Sequence, residues 1–121
     1  MSVLKEKITG IVEEIHKTPG VQTCALISRD GICLGKQTVT NFNDAWFAAM
    51  CATILTSAES VAVILKTEAP RHITVQTSCG NIIIIGSGDK LLIAIYVDNS
   101  ANLADTYEVL YAMAEEIMRS F

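Results

Sequence analysis

Two histidines, four cysteines and one glycine-rich turn are the residues whose types could do chemistry in this chain. His16 falls near the end of an expected helix, where the dipole mildly favours its positive form, so a structural role accounts for it. His72 opens an expected strand and has no Asp, Ser or Cys partner at a recognisable spacing. A Cys–His nucleophile would need an electropositive setting, and the flanks of the cysteines do not supply one. Cys24, Cys33, Cys51 and Cys79 form no C-x-x-C pair, and with only two histidines they give no metal signature. Gly86-Ser87-Gly88-Asp89-Lys90 has the glycines and lysine of a phosphate loop, but it lacks that loop's spacing and its following Ser or Thr. A strand follows where a helix should, and a plain hairpin turn explains the segment better. Glu13-Glu14 and Glu115-Glu116 are neighbours on helix faces and read as solvated. The sequence therefore predicts no catalytic residue, no cofactor-binding residue and no metal ligand, and a protein that is not an enzyme.

The bulk composition turns attention from chemistry to surfaces. Half of the 121 residues are hydrophobic and 18% are charged, a thin charged coat for one small domain spanning residues 1–121. Surplus apolar surface on a chain this size suggests that a partner covers part of it. The nine Lys and Arg are scattered within a net charge of −4, whereas nucleic acid requires a clustered basic field, so no nucleic-acid partner is expected. The uncharged stretches 45–58 and 61–65 are interrupted by Glu59 and fall short of the ~20 residues that span a bilayer. The chain is expected not to be membrane-spanning. Its charged, amphipathic start is unlike a signal peptide, and its unpaired cysteines read as buried thiols in a reducing, cytoplasmic setting.

The elements follow from periodicity. Leu4, Ile8, Ile11, Val12 and Ile15 recur at helical spacing up to Thr18-Pro19-Gly20. Strand formers fill 21–28 and 32–38, and Asp30-Gly31 between them supplies the positive φ of a tight hairpin. Asn41 to Asp44 offers caps for a long helix over 44–66. Strands near 71–77, 82–85 and 91–97 come next, joined by turns too short for parallel crossovers. Leu103, Tyr107, Leu110, Tyr111, Ala114, Ile117, Met118 and Phe121 stripe a last helix that Asn102 or Ser100 could cap. The runs 82–85 and 91–95 are continuously apolar, as in strands buried on both faces. The sheet must then carry helices on both sides.

The middle helix is the informative element. At 100° per residue, Phe47, Met50, Cys51, Ile54, Ala58, Val61 and Leu65 form a bulky stripe that would pack on the sheet. The opposite side carries Ala45, Ala49, Thr53, Thr56, Ser60 and Val63, with Trp46, Ser57 and Ile64 at its margin. Only Glu59 is charged in the interior of a helix about 33 Å long. A Ser/Thr-dotted surface helix that happens to lack charge is the plain alternative. Depletion of charge at interface cores favours an interface instead, and small residues allow close approach of a second helix. Two copies packed antiparallel about a two-fold axis would be self-complementary, and Ile73 and Val75 on the next strand could pair with their own copies at a sheet edge.

The order of elements and several local sequences resemble the roadblock/dynein light chain family. Pro19-Gly20-Val21 and the segment Ala25 to Ile32 carry the likeness. So do the Ala-rich middle helix, Gly80-Asn81 with the isoleucines that follow, Gly88 to Ile93 and Asn102-Leu103-Ala104. The resemblance spans nearly the whole chain. It implies an α+β, three-layer α/β/α, roadblock/profilin-like fold. Its five-stranded antiparallel sheet would have the middle helix on one face and the terminal helices on the other. It also implies dimers through the middle helix and third strand, and binding of Ras-like small GTPases to modulate hydrolysis or exchange. Family members that accelerate hydrolysis reshape the GTPase's own switch regions without an arginine finger, so the resemblance transfers no catalytic residue.

Three functions remain open on these grounds. The first is a homodimer that regulates a Ras-like small GTPase. Its interface is expected at Trp46, Ala49, Thr53, Thr56, Ser57, Ser60, Ile64, Ile73 and Val75, with Asp30 and Gly31 as further contacts. The second is a scaffold or motor light-chain subunit that never meets a GTPase. The third is a small-molecule sensor, for which the sequence shows few converging polar groups.

Overall fold

The computed structural model describes residues 2–121. The elements run α1 (Ser2–His16), β1 (Val21–Ser28), β2 (Cys33–Thr38), α2 (Asp44–Ile64), β3 (Ile73–Gln76), β4 (Gly80–Ser87), β5 (Leu91–Asp98) and α3 (Leu103–Ser120). The five strands form one antiparallel sheet in the order β2-β1-β5-β4-β3. The expected α+β class, element order and layering all hold. β2 and β3 are the edges, and α2 carries the chain from one edge to the other.

Two apolar layers follow from strand alternation. Cys24, Leu26, Ile83, Ile85, Ile93 and Ile95 point to one side, where Val12 and Ile15 of α1 and Leu110, Ala114 and Ile117 of α3 cover them. Ala25, Ile27, Ile84, Leu92 and Ala94 point to the other, under α2. The continuously apolar runs of β4 and β5 are thus buried on both faces, as their composition requires.

Three elements depart most from the sequence expectation. α2 ends at Ile64 rather than near residue 66, and Lys66 takes a left-handed φ of 58° that cannot continue a helix. β3 begins at Ile73, not Arg71, and stops at Gln76. β4 is twice the expected length, because Gly80, Asn81, Gly86 and Ser87 continue its pairing with β5. The caps agree with expectation: Asn43 accepts a hydrogen bond from the Trp46 amide, and Asn102 accepts one from the Asp105 amide.

The cysteines divide by layer. Cys24 and Cys51 are buried, Cys33 is half-buried, and Cys79 is exposed in the β3–β4 turn, so the buried-thiol expectation holds for two of the four. Burial pushes the Cys24 thiol up to about 12 and the Cys51 thiol to about 11, from an ordinary 9.0. Well below pH 9 these thiols are protonated in folded and unfolded chains alike and leave stability unchanged. Above it the unfolded chain releases protons that the folded one holds, so stability falls as pH rises toward 11–12. Each thiol contributes a slope of up to ~1.4 kcal/mol per pH unit. Urea unfolding between pH 8 and 11 is expected to show a shallower decline for Cys24→Ala than for the parent. Equal slopes would remove Cys24 from the account.

Candidate functional site

The sequence placed the site on α2, and the structure changes which face of α2 that is. The residues facing the sheet are Ala48, Cys51, Ala52, Leu55 and Ala62, and all five are buried. The bulky stripe expected there is largely outside: Met50 is 61% exposed, Val61 53% and Leu65 69%. Ile54 is also exposed, whereas Phe47 and Ala58 are half-buried. The physical reason lies in the sheet. Its α2 side already presents Ile27, Ile84 and Leu92, and alanines on the helix let the backbone settle onto that bulk. Leu55 is the large side chain that α2 buries fully, and Phe47 packs half-buried against the same layer.

The outer face consequently carries more apolar surface than the small-residue reading anticipated. Trp46 and Ile64 are 74% and 77% exposed. Between them run Met50, Thr53, Ile54, Ser57, Ser60 and Val61, and Thr56 stands exposed at the flank. Ala49 is half-buried, because the Gly31 backbone approaches it: a Cβ on Gly31 would lie 3.2 Å from the Ala49 Cα. Gly31 also has φ +89°, so glycine satisfies both the hairpin turn and the close approach. Ile73 packs, half-buried, into the layer beneath α2, and Val75 stands more open two residues along the same face of β3. The nine expected residues therefore lie on one side of the molecule, seven on α2 and two on the edge strand.

Length and mean hydropathy alone would let α2 cross a bilayer. Its sheet-facing residues and one ion pair tie it to the sheet instead. Arg29, on the β1–β2 turn, donates to the Glu59 carboxylate at 2.8 Å, to the Gly88 carbonyl at 2.9 Å and to the Leu91 carbonyl at 3.2 Å. Its guanidinium lies over Gly86, where a Cβ would come within 2.6 Å of it. One side chain thereby joins two hairpin turns to α2. Sequence reasoning missed this contact, although a lone Glu inside an uncharged helix was its signal. Arg29→Ala removes three charge-assisted bonds and leaves Glu59 unpaired, at an expected cost of about 1–2 kcal/mol in urea unfolding after solvent screening. Arg29→Lys cannot make the same fork and should recover little of this. A loss under 0.3 kcal/mol, on the order of measurement error, would show the clasp to be ornamental.

Beside the clasp, Arg29, Asp30, Gly31, Thr53, Thr56 and Ser57 help to line a shallow hollow of about 290 Å³ on the outer side of α2. His72, for which no Asp, Ser or Cys partner was expected, stacks on Tyr107 at 4.3 Å and hydrogen-bonds the Tyr111 hydroxyl. Thr74 bonds the Tyr107 hydroxyl at 2.7 Å. These contacts fasten β3 to α3 on the side of the sheet away from α2. Among the described residues no group of three His, Cys, Asp or Glu is placed to hold a metal. What the arrangement presents is an open, largely apolar helix face.

A five-stranded antiparallel sheet with one helix on one side and two on the other defines a small α/β/α module with an open, apolar helix face. The Roadblock/LC7 domain family matches residues 7–97, and this chain belongs to that family. Myxococcus xanthus MglB superposes with a TM-score of 0.90 over 97% of this chain and 89% of that one, at 13% identity. A structure described as MglB with tetrameric arrangement gives 0.86 over 95% and 88%, at 18% identity. A Roadblock/LC7 domain from Streptomyces avermitilis gives 0.80 over 94% of each chain, at 14% identity. At such identities the likeness is one of fold. No curated protein matches the sequence.

Proposed function

We propose that the protein is a homodimeric protein-binding module that regulates a Ras-like small GTPase without supplying a catalytic residue. The observation that carries this reading is the outer face of α2, where Trp46, Met50, Val61 and Ile64 are each more than half exposed. Between Asp44 and Glu59 this helix has no charged residue, and Glu59 is held by Arg29. Soluble monomers rarely leave so continuous an apolar face in water. A second copy packed across a two-fold axis would cover the centre of the face and leave its ends and the Asp30–Gly31 turn for another protein. Family membership supports the reading, as does the tetrameric arrangement reported for one MglB, since that protein self-associates on the same fold.

The test has two arms. Sedimentation of the purified protein at micromolar concentration is expected to give a dimer. Immobilised dimer is then expected to retain a Ras-like GTPase in one nucleotide state more than the other and to change its hydrolysis or exchange rate. A dimer that retains no GTPase in either state, yet captures large structural subunits irrespective of nucleotide, would replace regulation by scaffolding.

A further inference from the structure

The sheet edge formed by β3 and β4 is incomplete. β4 has eight residues and β3 only four, and their pairing ends at Ile73 with Ile84. Strand alternation decides where the remaining backbone groups of β4 point. The Asp98 amide donates to the Gly20 carbonyl on the β1 side, so Val97, Ile95, Ile93 and Leu91 turn their groups toward β4. Their partners there are Asn81, Ile83, Ile85 and Ser87. The even-numbered residues of β4 therefore face outward. Gly80 and Ile84 obey this: the Gly80 carbonyl receives the Thr77 amide, and Ile84 is opposite Ile73. Gly86 is next in the series. Its partner would be Arg71, but the chain leaves the sheet at residues 71–72, where His72 is held against Tyr107 and Tyr111. By this alternation the Gly86 amide and carbonyl point away from β5, and among the described residues no backbone bond joins them to a residue outside the strands.

Two features surround this gap. A cleft of about 440 Å³ opens between it and α3, lined among others by Arg71, Ile85, Gly86, Tyr111 and Met118. Arg71 lies at its mouth, exposed, with its guanidinium 4.9 Å above the Tyr111 ring and no carboxylate partner among the described residues. Glu115 on the far wall is paired with Arg119.

We infer that the gap in the β4 edge at Gly86 receives an extended, acidic segment of another protein, which takes the place that Arg71 vacates. An extended backbone supplies the donor and acceptor that Gly86 lacks, in the manner of strand addition. A carboxylate on the segment pairs with the free Arg71 guanidinium, and one apolar side chain enters the cleft over Met118. The site lies on the α3 side of the sheet edge, beyond the end of β3.

Amide spectra of the full chain, assigned at Gly86, test this with three probes: a capped pentapeptide alternating valine and glutamate, its lysine counterpart, and sodium acetate. The acidic peptide is expected to move the Gly86 resonance and slow its hydrogen exchange at least about tenfold at saturation. Arg71→Glu should weaken that binding about tenfold or more while leaving the fold intact, since Arg71 is exposed. The lysine peptide should leave Gly86 unmoved. An acidic peptide that leaves Gly86 unmoved overturns the proposal. So does acetate that acts as strongly as the peptide, or Arg71→Glu binding as well as the parent.

Discussion

Ser57→Arg is expected to turn the dimer into folded monomers. Ser57 lies near the middle of the exposed arc, almost opposite the sheet-facing Ala48, Leu55 and Ala62 when α2 is wound at 100° per residue. If two α2 helices cross there about a two-fold axis, each substitution meets its own copy. Two guanidinium groups would then be buried together without a carboxylate between them. An uncompensated buried charge costs about 3–5 kcal/mol, which weakens association by at least about 100-fold even after side-chain relaxation. Sedimentation equilibrium across a dilution series measures the shift directly, and circular dichroism must show unchanged helix content. Ser57→Ala should leave the affinity within about threefold, because it removes neither bulk nor a buried hydrogen bond. Thr56→Arg, at the flank, is expected to dissociate the dimer too, though with more room to swing the charge toward solvent. A Ser57→Arg protein that still sediments as a dimer with unchanged affinity would move the interface off α2.

That experiment also bears on how the sequence could be read. The layers of the sheet were legible because Ile82–Ile85 and Leu91–Ile95 admit one physical arrangement, strands covered on both sides, and the hairpin signals allow only antiparallel neighbours. The rotation of α2 was not legible. Its residues are apolar almost all round, so spacing separates bulky from small but not inner from outer. Bulk is the usual mark of burial, but the isoleucines and leucine of the sheet already fill this layer and leave room for alanine. The same helix contained the correction in Glu59, which faces the sheet side and marks where Arg29 reaches it. The gap at Gly86 was hidden for a related reason. Arg71 and His72 have ordinary strand neighbours, and only the aromatic pair on α3, some 35–40 positions later, pulls the chain from the edge.

Leu55→Ala is expected to cost the protomer about 3 kcal/mol of folding stability, and Ile54→Ala less than about 1 kcal/mol. Leu55 is 1% exposed and its methyl group reaches to within 3.6 Å of where a Cβ would stand on Gly86. Its neighbours on the helix are Ala48, Cys51, Ala52 and Ala62, none long enough to fall into the space it would leave. Beneath it, Ala25, Ile27, Ile84, Leu92 and Ala94 are fixed by pairing on both sides, so the cavity should persist. Ile54 has 37% of its surface in water and loses little in the isolated protomer. Its contribution should appear in association instead, as a weaker dimer. Dimerisation adds its own free energy to apparent stability. Urea unfolding is therefore best measured in the Ser57→Arg background, where protomer and dimer terms separate. If Ile54→Ala proved the costlier change there, α2 would be rotated about its axis, and the bulky stripe would face the sheet after all.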